Sequence, residues 1–124
     1  MKYTIKVGGK RLRPLLLTEI SNLLEVKNEH SFRAAASVEM IHCYSLVHDD
    51  LPSMDNDDLR RGKPSTHIKF GESTAILAGN SLLTLAFEII ADKKFNIDTK
   101  IKLNLIKKLS ECAGHVGIAG GQFL

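Results

Sequence analysis

Apolar positions recur every three or four residues along most of the chain, and the strict alternation of a half-buried strand is absent. In KRLRPLLLTEISNLLEVK, residues 10–27, Leu16, Ile20, Leu23 and Leu24 fall at helical spacing. Gly8 and Gly9 precede this stretch, and Pro14 stands in its first turn, where a missing N–H costs little. The run SFRAAASVEMIHCYSLVHDD, residues 31–50, predicts a second helix capped by Ser31, and its mostly apolar circumference predicts burial on several sides. Residues 71–92 predict a third helix, and residues 98 to about 120 a fourth. There is no internal repeat. The fold class that follows is an all-α bundle, one domain over residues 1–124.

That bundle leaves apolar faces without partners. GGQFL ends the sequence on two apolar residues with no cap beyond them, and only seven residues precede Gly8. The expectation is an incomplete domain, a fragment prone to association through its exposed faces.

Composition changes this picture little. With 124 residues, 44% hydrophobic and 25% charged, the chain has the balance of one globular domain. A net charge of +3, with basic residues interleaved among aspartates and no aromatic platform, argues against a nucleic-acid partner. Cys43 and Cys112 form no CxxC pair, which suits a reducing compartment. No run of 18 apolar residues and no signal-peptide core are present, so a cytoplasmic location without a membrane span is expected.

The chemistry concentrates in HDDLPSMDNDDLRRGKPSTH, residues 48–67, where five of the 14 acidic residues lie within ten positions. On an unbroken helix Asp49 and Asp55 would point about 120° apart. Pro52 should end or distort the helix, which would allow Asp55 to swing back beside Asp49. Two converging carboxylates suit Mg²⁺, and aspartates at a helix C-terminus oppose the macrodipole and call for a cation. An acidic turn neutralised by Arg60 and Arg61 fits the same spacing equally well. A calcium-binding EF-hand does not, because Arg60 and Thr66 occupy the positions that require Gly and Glu.

A second cluster, GGKRLRP at residues 8–14, is no P-loop, since Arg11 follows the Lys where Ser or Thr is needed. It still sets Lys10 and Arg13 on one face beside a helix N-terminus, a geometry that suits a diphosphate, although an ordinary helix start with solvated basic residues is the commoner source of such a motif. His42 lies two helical turns before Asp49 on the same face, and His48 adjoins it, but no histidine or cysteine has zinc-like spacing.

In order along the chain, GGKRLRP, SLVHDDLPSMDNDDLRRGKPSTH, KFGESTAILAGNSLL and GGQFL resemble the amino-proximal half of the trans-isoprenyl diphosphate synthases, or polyprenyl synthetases, most of all their bacterial farnesyl diphosphate synthase branch. The resemblance implies a partial isoprenoid-synthase bundle, homodimeric when complete. It implies a prenyltransferase that condenses isopentenyl diphosphate with an allylic diphosphate. Asp49 and Asp55 would bind Mg²⁺ that grips the allylic diphosphate, with Asp50 in support and Arg60 on the same group. Lys10, Arg13, His42 and Arg61 would hold isopentenyl diphosphate. Tyr44, five residues before Asp49, would close the product pocket and favour a farnesyl chain, geranylgeranyl being the alternative. Asn80 departs from the family's Asp, and the second aspartate-rich motif and a preceding helix are missing. The isolated chain is therefore expected to lack prenyl transfer, either as part of an enzyme or as a non-catalytic remnant that still binds Mg²⁺ and diphosphate.

Overall fold

The structure, a computed structural model, describes residues 1–7 and 9–123. Gly8 of the Gly8–Gly9 pair and Leu124 of the closing GGQFL lie outside the described residues. In chain order come α1 (Lys2–Val7), α2 (Leu12–Leu23), α3 (Asn28–Asp49), β1 (Leu59–Arg60), β2 (Lys63–Pro64), α4 (Thr66–Phe70), α5 (Glu72–Ala91), α6 (Thr99–Ala113) and α7 (Ile118–Phe123). The bundle is helical, as the pattern requires, with a short antiparallel ribbon added.

Helix α3 is the spine, packed along α5 on one side and α2 on another. Their shared core holds Met40, Ile41 and Cys43 from α3, Leu82 and Ala86 from α5, and Ala113 from α6. Small residues let the two long helices approach. Ser37 Oγ donates to the Ala86 carbonyl at 2.7 Å, and a Cβ added at Gly79 would stand 2.2 Å from His48 Nε2. The bare glycine therefore seats the His48 ring, whose Nε2 lies 3.1 Å from the Ile76 carbonyl. Gly79→Ala is expected to cost about 1–3 kcal/mol through overpacking. A lower urea midpoint at unchanged m-value would report it; an unchanged midpoint would contradict this packing.

Helix α5 is also long and apolar enough to cross a membrane, with a mean hydropathy of 1.6. In this fold Leu82 and Ala86 are fully buried in the core shared with α3, while Ile76 and Leu77 remain exposed.

Several predicted boundaries shift. Ser31 is not a cap: α3 begins at Asn28, and Ser31 is buried one turn inside, its Oγ donating to the Asn28 carbonyl at 3.1 Å. A buried hydroxyl on a helix commonly turns back to such a carbonyl. The helix predicted to reach residue 27 ends at Leu23, where Val26 N donates to Ser21 O and Glu25 N to Asn22 O, with Glu25 at φ 59. This is a Schellman closure with Glu where Gly is usual. The predicted fourth helix is two, α6 and α7, parted at Gly114, because four glycines within residues 114–121 lower helix propensity. Its start is as expected, with Asp98 Oδ1 accepting from Lys100 N at 2.8 Å. The ribbon pairs Leu59 with Pro64 and Arg60 with Lys63 through a two-residue turn, Arg61 and Gly62, both at positive φ as a tight hairpin demands.

Candidate functional site

The C-terminus of α3 leaves backbone carbonyls without helical partners, and the acidic loop supplies them. Asp55 N donates to the Asp49 carbonyl at 2.8 Å, Asn56 N to Leu51 at 3.0 Å, and Asp57 N to Asp50 at 3.1 Å. The chain beyond Pro52 thus folds back over the last turn of α3 and brings Asp55 to Asp49. Partial burial, then the like charges of Asp55 and Asp50, hold the Asp49 carboxyl above its ordinary range, while Arg60 and His48 pull it down.

A carboxyl raised in the folded state loses stability as pH rises through its folded pKa. Asp49→Asn in EDTA is therefore expected to stabilise the chain at neutral pH, by about 0.5 kcal/mol after solvent screening. The gain should vanish as pH falls and the parent carboxyl protonates. Thermal melts across that range check it, and an advantage that persists in acid would contradict it.

Asp50 is 2% exposed, and its two oxygens accept from Arg60 Nε at 2.8 Å and Nη2 at 2.7 Å. Asp50 thus anchors Arg60, whose pKa rises mainly through this bond. The neutralising pair that the spacing allowed is real for Asp50 and leaves Asp49 and Asp55 outside it.

Among the described residues no three His, Cys, Asp or Glu side chains gather closely enough to hold a metal alone. Asp49 and Asp55 nonetheless fit Mg²⁺, which keeps several waters and takes phosphate oxygens, needing one or two carboxylates from the protein. The like-charge repulsion at Asp49 is the physical sign of a site that a cation would relieve.

The basic residues gather beside the middle of α3, around Glu39 and His42. Lys10, Arg11, Arg13, Glu39, His42 and Arg61 line a hollow of about 180 Å³ with Gly9 and Leu12. A Cβ on Gly9 would come 2.6 Å from Arg61 Nη2, so the glycine makes room for that guanidinium. Arg13 Nη1 lies 3.4 Å from His42 Nε2. Burial first, then Arg13, lowers the His42 pKa, with Glu39 opposing. His42 is thus neutral at neutral pH, and an Nδ1–H tautomer lets its Nε2 accept from Arg13 and orient it.

Bordering both groups is an apolar cavity of about 610 Å³, lined by Leu17, Val38, Ile41 and Leu109 together with Arg13, His42 and Asp49. Tyr44 borders an adjoining hollow of about 490 Å³ with His48, Asp49 and Met54, its ring edge-on to His48 at 5.2 Å. Tyr44 also packs against the core. Asn80 belongs to neither chamber, lying with Met1, Leu77 and Thr84 at a separate hollow. Sequence analysis assigned no role to Arg11 or Glu39, which form an ion pair, although Glu39 is the one acidic residue within the apolar run 31–48.

An apolar chamber lined also by Arg13, His42 and the carboxylate of Asp49 can hold hydrocarbon with anionic head groups beside it. Comparison with known proteins agrees with that chemistry. The family model described as polyprenyl synthetase matches residues 1–124. Farnesyl diphosphate synthase of Geobacillus stearothermophilus is 50% identical over 123 residues, 98% of this chain and 41% of that protein. Geranylgeranyl pyrophosphate synthase 4 of Arabidopsis thaliana is 48% identical over 122 residues, 98% of this chain and 32% of the relative. The crystal structure of a geranyltransferase from Legionella pneumophila superposes with a TM-score of 0.95 at 42% identity, covering 99% of this chain and 44% of that one. The chain thus spans less than half of the length of each of these relatives.

Proposed function

The chain belongs to the polyprenyl synthetase family, whose helical fold it shares, and from that premise we propose that it forms the substrate-binding wall of a prenyltransferase. The reaction condenses isopentenyl diphosphate with an allylic diphosphate, dimethylallyl or geranyl, to give a short prenyl chain such as farnesyl diphosphate. The observation that carries this reading is the apolar cavity lined also by Arg13, His42 and Asp49.

Lys10, Arg13 and Arg61 hold the diphosphate of isopentenyl diphosphate, and His42 orients Arg13. Asp49 and Asp55 hold Mg²⁺, and Arg60, with Nε and Nη2 committed to Asp50, offers Nη1 to the allylic diphosphate. When bound, the metal supplies positive charge against the leaving diphosphate. The allylic carbon–oxygen bond breaks as diphosphate leaves, and the apolar wall keeps water from the cationic carbon while the isopentenyl double bond attacks it. The resulting cation loses a proton to form the new double bond. Tyr44 limits chain length. The enzyme is proposed to be cytoplasmic and homodimeric. The Arabidopsis thaliana relative supports a second reading, a geranylgeranyl product from the same chemistry.

The test is a graft of residues 1–124 in place of the corresponding segment of the Geobacillus stearothermophilus relative, assayed with both substrates and Mg²⁺. Farnesyl diphosphate should form, and Asp55→Ala should slow it by at least about a hundredfold. Longer products from Tyr44→Ala would support its length-limiting role. A folded graft that makes no prenyl product would overturn the proposal.

A further inference from the structure

Glu39 carries a charge that the proposed reaction does not use. It is 6% exposed, set in α3 between buried Met40 and the turn that bears Ala35 and Ser37. A carboxylate so placed persists only with a partner. Its partner is Arg11, whose Nη1 lies 2.5 Å from Glu39 Oε1 and whose Nη2 donates to the Ile5 carbonyl in α1. One guanidinium therefore ties α1 to α3 across the basic hollow. The backbone of Arg11 stands at φ 56, a left-handed conformation that a residue with a Cβ adopts only when its surroundings hold it there.

This residue is the N-cap of α2 but makes no side-chain capping bond. Its side chain is committed to Glu39, and its backbone sets the turn between Lys10 and Arg13, both of which line the hollow. Those two side chains and Arg61 repel one another, so they share the hollow only if the backbone beneath them is fixed.

We propose that Glu39, acting through Arg11, is the positioning residue of the basic hollow: it fixes the left-handed turn that aims Lys10 and Arg13 at a diphosphate and does not itself touch the ligand. The proposal rests on the reading of that hollow as a diphosphate site. Glu39 also withdraws Arg11 from the ligand, leaving three cations and His42 to meet it. A buried carboxylate in an anion site would otherwise repel the ligand, and its pairing with Arg11 removes that conflict.

The test titrates inorganic pyrophosphate into the 124-residue chain by calorimetry in EDTA, which confines binding to the metal-independent hollow. The parent should bind, and Lys10→Ala should weaken it. Glu39→Gln and Arg11→Met should each weaken binding about tenfold, and their combination no more than either alone, since the two residues act as one unit. Arg11→Met combined with Glu39→Leu keeps the protein testable if Glu39→Gln fails to fold, because an apolar pair is often as stable as the ion pair it replaces. This pair should melt at or above the parent temperature yet bind about tenfold more weakly, a split that a purely structural role would not produce. If the apolar pair binds as tightly as the parent while Lys10→Ala does not, the pair only stabilises the fold and the proposal fails. If parent and Lys10→Ala bind equally, the reading of the hollow fails and takes the proposal with it.

Discussion

Arg60→Met is expected to destabilise the chain by about 3–5 kcal/mol, because it strands the Asp50 carboxylate in the interior. The Asp50 side chain is 3% exposed, and Arg60 donates to both of its oxygens. Asp50 closes α3, and the carbonyl of the same residue accepts from Asp57 N, so the loop that returns Asp55 to Asp49 is built on this anchor. Losing the cation should therefore loosen the carboxylate loop as well as lower stability. The compensating change separates these effects. Arg60→Met with Asp50→Leu removes both charges and should recover most of the stability, since a well-packed apolar pair is often as stable as a buried ion pair. Urea unfolding of the three proteins measures this. A single Arg60→Met variant as stable as the parent would show that Asp50 is neutralised by something else.

Asp49→Ala is expected to abolish the Mg²⁺-dependent part of pyrophosphate binding, a loss of at least about a hundredfold in affinity, or about 2.7 kcal/mol. The reasoning starts from repulsion. Burial and two neighbouring like charges make the Asp49 carboxylate costly to hold ionised. A divalent cation offsets that cost, and the cation in turn attracts phosphate oxygens. Removing the carboxylate takes away the reason for the cation to bind. The basic hollow, around Glu39 and His42 in the middle of α3, shares no carboxylate with this loop, so binding in EDTA should be unchanged. A uniform loss with and without Mg²⁺ would instead mean that the variant damaged the fold.

The pattern of apolar residues made the helices legible because each long helix buries one face. Helix α3 was readable even in its orientation, with His42 and Asp49 on one side. Features fixed by backbone geometry were less legible. The end of α2 is set by a left-handed Glu25, a residue type that gives no turn signal. Two-residue strands have no period to detect. Asp49 and Asp50 look alike in the sequence, yet one borders the cavity and the other is buried against Arg60. That difference arises from where the Pro52 turn carries the chain. The pairing of Arg11 with Glu39 spans 28 positions and two helices, so no local pattern announced it. Physical reasoning alone connected only Lys10 with Arg13 at helical spacing. Grouping them with His42 and Arg61 came from the family resemblance, and the hollow that they share gives that grouping a geometry.

The central claim is that one helical wall carries two diphosphate sites, one dependent on metal and one not. The most direct measurement is a pair of calorimetric titrations on the 124-residue chain, isopentenyl diphosphate and geranyl diphosphate, each with Mg²⁺ and with EDTA. Isopentenyl diphosphate should bind in both conditions and be lost with Lys10→Ala combined with Arg13→Ala. Geranyl diphosphate should gain a Mg²⁺-dependent component that Asp55→Ala removes. Identical behaviour of the two ligands, indifferent to Mg²⁺ and to all three substitutions, would contradict the account.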